Sequence, residues 1–221
     1  MSTQSTETHP DRGLRLVPVL LALTLVSGLI DAVSYLGLGH VFTANMTGNV
    51  VVLGFAAAGA PGFSVPHTLT SLFAFMVGAA VGGRIAQRLG DGPRRTWVRR
   101  TLAAEALLLA ASTAVAFAAP DDTATVYTLI AVTAFAMGLR NATVRKLGVA
   151  DLTTTVLTMT LTGLAADGPG THRFRRTAAV AAMIAGAAVG AWLVDDHGLG
   201  LPLLVSTAVV GVLAAVASGR E

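Results

Sequence analysis

Uncharged apolar stretches recur along the chain at 16–30, 68–83, 106–120, 123–139, 177–194 and 198–219, separated by short polar connections. Each approaches the roughly 20 residues that a helix rising about 1.5 Å per residue needs to cross about 30 Å of hydrocarbon. The pattern predicts six transmembrane helices. Two further segments mix apolar with hydrogen-bonding residues: TANMTGNVVVLG at 43–54 and DLTTTVLTMTLTGL at 151–164.

The pattern also repeats. GLIDA at 28–32 is echoed by GLRNA at 138–142, and each is followed at the same distance by a polar stretch, Phe42-Thr43-Ala44-Asn45 and Leu152-Thr153-Thr154-Thr155. GAAVG occurs at 78–82 and again at 186–190. Three echoes in the same order, reconciled by a two-residue difference in length, point to one unit used twice, as in many membrane transport folds.

Composition narrows the class. Charged residues make up 12% of the chain, against roughly 25% in soluble domains, 53% are apolar, and mean hydropathy is +0.69. This describes a membrane protein whose direct surroundings are the lipid bilayer. The first apolar stretch runs on through Leu38 and carries Asp31, which favours a retained span over a cleaved signal. With no cysteine, disulfides, thiol catalysis and cysteine-held metals are excluded.

The basic residues crowd into two loops, Arg84 to Arg100 and Arg173 to Arg176. Beside apolar spans these read as topology signals rather than a nucleic-acid patch, and no nucleic-acid partner is expected. Placing them in the cytoplasm puts Asp121-Asp122 and Asp195-Asp196 outside. Both flanks of Asp151 to Ala166 are then cytoplasmic, so that segment enters the membrane and returns; 41–60 does the same from outside. The expectation is an all-α polytopic protein with six transmembrane helices, two re-entrant or broken helical segments and an inverted three-plus-three repeat. Repeat one covers about 14–120 and repeat two about 121–221, in a single membrane domain from 14 to 221 after a disordered tail at 1–13. Both termini are cytoplasmic. Eight full spans in a parallel four-plus-four arrangement would leave an arginine-rich loop on the wrong side.

Irregular backbone at membrane depth survives only inside protein or around a water-filled cavity, which makes the two dipping segments the candidate site. Asn45, Thr47 and Asn49 share one; Thr153, Thr155 and Thr158 lie in the other, where Thr154, Thr158 and Thr162 form a stripe behind Asp151 as a natural N-cap. Threonines bonding their own helix and asparagines tying helices together are the structural alternative. An acid such as Asp31 at a helix centre costs roughly 2.5–3.5 kcal/mol on insertion scales, so a contact with Arg140 or Asn141 is expected, either titrating during transport or locking the halves. Glu105 is expected to snorkel toward Arg99 and Arg100.

Gly78, Gly82, Gly186 and Gly190, from the GAAVG pair, suit close helix packing and offer a possible homodimer surface. The five histidines show no metal-ligand spacing. Trp97 and Trp192 sit at span ends as aromatic anchors. No Ser-His-Asp set, HExxH motif or phosphate loop is present, so neither an enzyme nor a cofactor is expected. The favoured function is transport of a small solute, an anion or zwitterion, past Asp31, Asn45, Thr47, Asn49, Arg140, Asn141, Thr153, Thr155 and Thr158. A channel, or a structural or partner-binding role, are the alternatives.

The passages SGLIDAVSYLGLGHVFTANMTGNVVVLG at 27–54 and LRNATVRKLGVADLTTTVLTMTLTGLAAD at 139–167 closely resemble the YoaK family of bacterial membrane proteins of unknown function. The similarity covers nearly the whole chain after about the first 12 residues. It implies a small polytopic protein of the bacterial cytoplasmic membrane and supplies no substrate.

Overall fold

A computed structural model describes residues 16–89, 94–120, 122–147, 157–167 and 171–216. The expected tail at 1–13, and Thr153 and Thr155 with the Asp151 cap, lie outside the described residues. Within them the chain forms eight helices and no strands: α1 Leu16–Gly37, α2 Met46–Ala57, α3 Val65–Leu89, α4 Arg94–Ala118, α5 Thr123–Leu147, α6 Leu157–Ala166, α7 Thr171–His197 and α8 Gly200–Val216. Pro18, Pro66 and Pro202 fall in first turns, where the missing amide hydrogen would have had no helical partner.

Five helices, α1, α3, α4, α5 and α7, are long and apolar enough to cross a membrane. The apolar α8 has 17 residues, about 26 Å of rise. By contrast α2 has 12 residues, about 18 Å, too short to cross a bilayer unaided; α6 is described over 10 residues from Leu157.

The most extensive contacts pair α3 with α5 and α1 with α7. In the first pair His67 stacks edge-on to Tyr127, Gly82 meets Leu139 and Ala142, and Lys146 Nζ donates to Ala86 O. Contacts advance together along both chains, so the two helices run parallel. Parallel packing also joins α1 and α7, through Gly28 against Met183, Gly190 against Leu29 and Ala32, and Gly37 against Leu199. In both pairs glycines let backbones touch. A Cβ on Gly78 would collide with the carbonyl oxygen of Phe135, one on Gly138 with that of Phe75, one on Gly28 with that of Met183, and one on Gly186 with that of Leu25.

The helices α4 and α8 run antiparallel, Thr113 Oγ1 lying 3.2 Å from Thr207 Oγ1 while Phe117 covers Gly200. Short connections reverse α7 into α8, through Gly198 at φ 71°, and α4 into α5. Thus α1, α4 and α7 run one way, and α3, α5 and α8 the other. Of the long helices α1 and α5 are the most buried, α3 and α7 the least. This topology gathers Arg84, Arg88, Arg99, Arg100, Arg145, Lys146, Arg173, Arg175 and Arg176 at one end, with Asp122, Asp195 and Asp196 at the other.

Gly78, Gly82, Gly186 and Gly190 are all buried in these internal contacts; a homodimer would have to use another surface. Trp97 departs from its expected interfacial role, since it is 4% exposed and packed within the bundle. Trp192 is 58% exposed.

Candidate functional site

The chain leaving α1 turns through Gly39 at φ 85° and His40 at φ 60° and folds back along the helix it has just left. This return brings backbone amides to a carboxylate: Thr43 N donates to Asp31 Oδ1 at 3.1 Å and Ala44 N at 2.8 Å. Asn45 then caps α2, its Oδ1 accepting from Gly48 N at 3.4 Å. The loop closes on itself where His40 Nδ1 meets Gly62 O at 2.9 Å. The segment from 38 to 64 therefore dips to the level of Asp31 and comes back to the end it left, with α2 as its returning limb.

Asp31 thus does not pair with Arg140 or Asn141 as expected. Its partners are backbone donors at the entry to α2, where amides lack helical acceptors and the helix dipole is positive. Asn141 Nδ2 donates to Met137 O in its own helix at 2.9 Å. Asp31 is 5% exposed, and its Oδ2 has no hydrogen-bond partner among the described residues; nor does the buried Thr43 Oγ1.

Arg140, 2% exposed, turns instead to Glu105. Its Nε donates to Glu105 Oε1 at 2.8 Å and Nη2 donates to the same oxygen. Its Nη1 reaches across to α1, to Leu23 O and Ser27 Oγ, both at 2.9 Å. Glu105 is 1% exposed, so it does not snorkel to Arg99 or Arg100. A buried carboxylate gains more from a guanidinium on the next helix than from charges at the bundle's end, because low dielectric strengthens the short pair. Beside the pair, between Thr101, Thr143 and Leu20, lies a void of about 20 Å³, enough for one water; Glu105 Oε2 has no protein partner among the described residues.

A larger cavity of about 230 Å³ opens beside Asp31. Ser27 and Asp31 line it from α1, Met183 from α7, and Ala44, Asn45, Thr47, Gly48 and Val51 from the α2 entry and first turns. Leu157 and Thr158 line it from the start of the described part of α6. The entry of the short helix α2 and the described start of α6 therefore meet at one cavity. The far ends diverge: α2 leads to α3 at the acidic end, while α6 leads to α7 at the basic end, where Arg176 closes on Gly163 and pairs with Asp167.

Of the sequence-derived candidates, Asp31, Asn45, Thr47 and Thr158 meet at this cavity. Asn49 does not line it. Its Oδ1 accepts from Phe42 N at 2.8 Å, and its Nδ2 donates to Phe42 O at 2.6 Å and to Ser71 Oγ at 3.0 Å, a knot that ties α2 to α3. Arg140 reaches the cavity wall only through Ser27. Ser27, Met183 and Glu105 were not foreseen in these places. Ser27 was within reach of sequence reasoning, because it lies one helical turn before Asp31 and shares its face.

No solved structure matches the chain. It is 35% identical over 161 residues to the UPF0700 transmembrane protein YoaK of Bacillus subtilis (strain 168), an alignment covering 72% of this chain and 69% of that protein. With helices that can span a bilayer and a transmembrane relative, the chain is a multi-pass membrane protein. The family model described as "Protein of unknown function (DUF1275)" matches residues 19–216, so the chain belongs to that family.

Proposed function

We propose that this protein moves a small solute across the bacterial cytoplasmic membrane through the cavity beside Asp31, acting as a transporter rather than an enzyme. The observation that carries the reading is a cavity lined by Asp31, Asn45, Thr47 and Thr158, where the dipping entry of α2 meets the described start of α6. Apolar spans leave no reason to break backbone at that depth unless the break lines a path or a site.

The frame is read as an inverted three-plus-three repeat of six spans, with α8 as the sixth. What supports this is the reversal of direction between α1, α3, α4 and α5, α7, α8. The matched contacts support it too: α3 lies on α5 as α7 lies on α1, with glycines at corresponding positions. By the positive-inside rule the arginine-rich end, and with it both termini, faces the cytoplasm.

The test is flux in proteoliposomes, screened over a panel of small metabolites, with Thr47→Trp and Thr158→Trp to fill the cavity. Both positions are exposed in the bundle, so the variants should remain monodisperse while flux falls at least about tenfold. Full flux with both tryptophans in place would end the cavity reading, and flux that never saturates would make the protein a channel.

A further inference from the structure

The basic end of the bundle carries its charge unevenly. Between 84 and 100 the sequence sets six arginines against one acid, Asp91, which lies outside the described residues. Arg84 and Arg88 sit one turn apart near the end of α3, Arg99 and Arg100 in the first two turns of α4, and Arg145 in the last turn of α5; all five are exposed. Lys146 Nζ donates to Ala86 O, which fastens the end of α5 beside the α3 arginines. Ion pairs among the described residues join Arg140 to Glu105 and Arg176 to Asp167, so none of the five exposed arginines has an acidic partner there. The α6–α7 corner of the same end differs, since Asp167 answers Arg176.

A gap lies between the helices that carry these charges. Both α3 and α4 pack on α5, yet they barely touch each other, and α5 is the one described helix packed extensively on both. Phe73, Met76 and Val77 of α3 and Leu107 of α4 are exposed, an apolar surface suited to acyl chains. We propose that the α3–α4–α5 corner binds an anionic phospholipid of the leaflet at the basic end, with its phosphate among the five arginines and its chains along the flanks of α3 and α4. Guanidinium groups pair with phosphate oxygens through two parallel hydrogen bonds, and basic pockets between transmembrane helices take anionic head groups. A zwitterionic lipid brings a cation that the arginines repel. Free phosphate brings the charge and nothing for the apolar flanks.

The experiment titrates the full chain, in an uncharged detergent, with short-chain phosphatidylglycerol, phosphatidylcholine of the same chain length, inorganic phosphate and a polyglutamate peptide. Thermal midpoint and bound lipid, counted by native mass spectrometry, are the readouts. Phosphatidylglycerol should bind saturably, raise the midpoint and bind about tenfold or more tightly than phosphatidylcholine. Arg84→Gln, Arg88→Gln, Arg99→Gln and Arg145→Gln should each weaken it about fivefold, as expected for one basic residue near anionic lipid. Arg173→Gln makes the same charge change at the other corner and should leave binding unchanged. Equal affinity for the two lipids would overturn the proposal, and that comparison needs no variant. An equal loss in Arg173→Gln would also overturn it, by showing diffuse attraction to the whole end. Inorganic phosphate raising the midpoint as far as the lipid would make this a site for a soluble anion, and polyglutamate binding without lipid binding would make it a surface for an acidic protein; either result ends the lipid assignment. None of these measurements involves flux, so their failure leaves the transport reading untouched.

Discussion

Gly28 and Gly138 do the same work in the two halves of the chain, and the residues three positions further on do not. Each glycine lets its helix lie against a backbone carbonyl of a partner running in the same direction, Met183 for one and Phe75 for the other. Asp31 then turns to the entry of a half-helix and a cavity, whereas Asn141 bonds back to its own helix. Arg140 beside it reaches over to Glu105 and α1. The comparison separates two kinds of constraint. Backbone-to-backbone contact leaves no room for a methyl group, so the packing stays alike in both halves; side chains set on that frame are free to diverge. One half supplies an acid to the cavity, and the other supplies the cation that fastens the halves together.

The divergent side of this comparison should be the most fragile. Glu105→Ala leaves Arg140 buried without its counter-charge and should cost about 3–5 kcal/mol, read as loss of monodisperse protein in detergent; Glu105→Ala combined with Arg140→Met should recover much of it. Equal loss in the single and the double variant would mean that the pair is not what the site depends on. The shared side is sharpened by Gly78→Ala and Gly186→Ala. Each forces a methyl group into a backbone carbonyl, with an expected cost of about 1–3 kcal/mol, and the two thermal midpoints should fall by matching amounts. A large shift in one and none in the other would break the equivalence of the α3–α5 and α7–α1 contacts.

A smaller effect is expected at the α2–α3 knot. Asn49→Ala leaves the Phe42 amide without its acceptor, while Ser71 still donates to Phe42 O, and should cost about 1–3 kcal/mol, with faster amide exchange confined to residues 42–57.

The long apolar helices were legible because apolar length is a local property of the sequence. The GAAVG pair was legible as a packing surface for the same reason: small residues at helical spacing carry their meaning with them. Asp31 was legible as a problem, since an acid among apolar residues has to be answered. Its solution was not, because the answering groups are backbone amides, which every residue has and no residue type announces. Glu105 and Arg140 failed for a different reason. The sequence offered Arg99 and Arg100 as nearer partners along the same helix, and only the pairing of α4 with α5 shows that a residue on the next helix lies closer in space. Asn49 was recognised as polar in a polar segment, but whether such a residue lines a path or closes a loop depends on where the chain returns.

The placement of Glu105 and Arg140 on consecutive helices also bears on biosynthesis. Arg140 entering lipid on an isolated α5 would carry an unaccompanied guanidinium, at a cost of roughly 2.5–3.5 kcal/mol on translocon scales. Glu105 emerges from the ribosome first, on the helix just before it, so α4 and α5 can leave the translocon as a hairpin whose two buried charges are already joined.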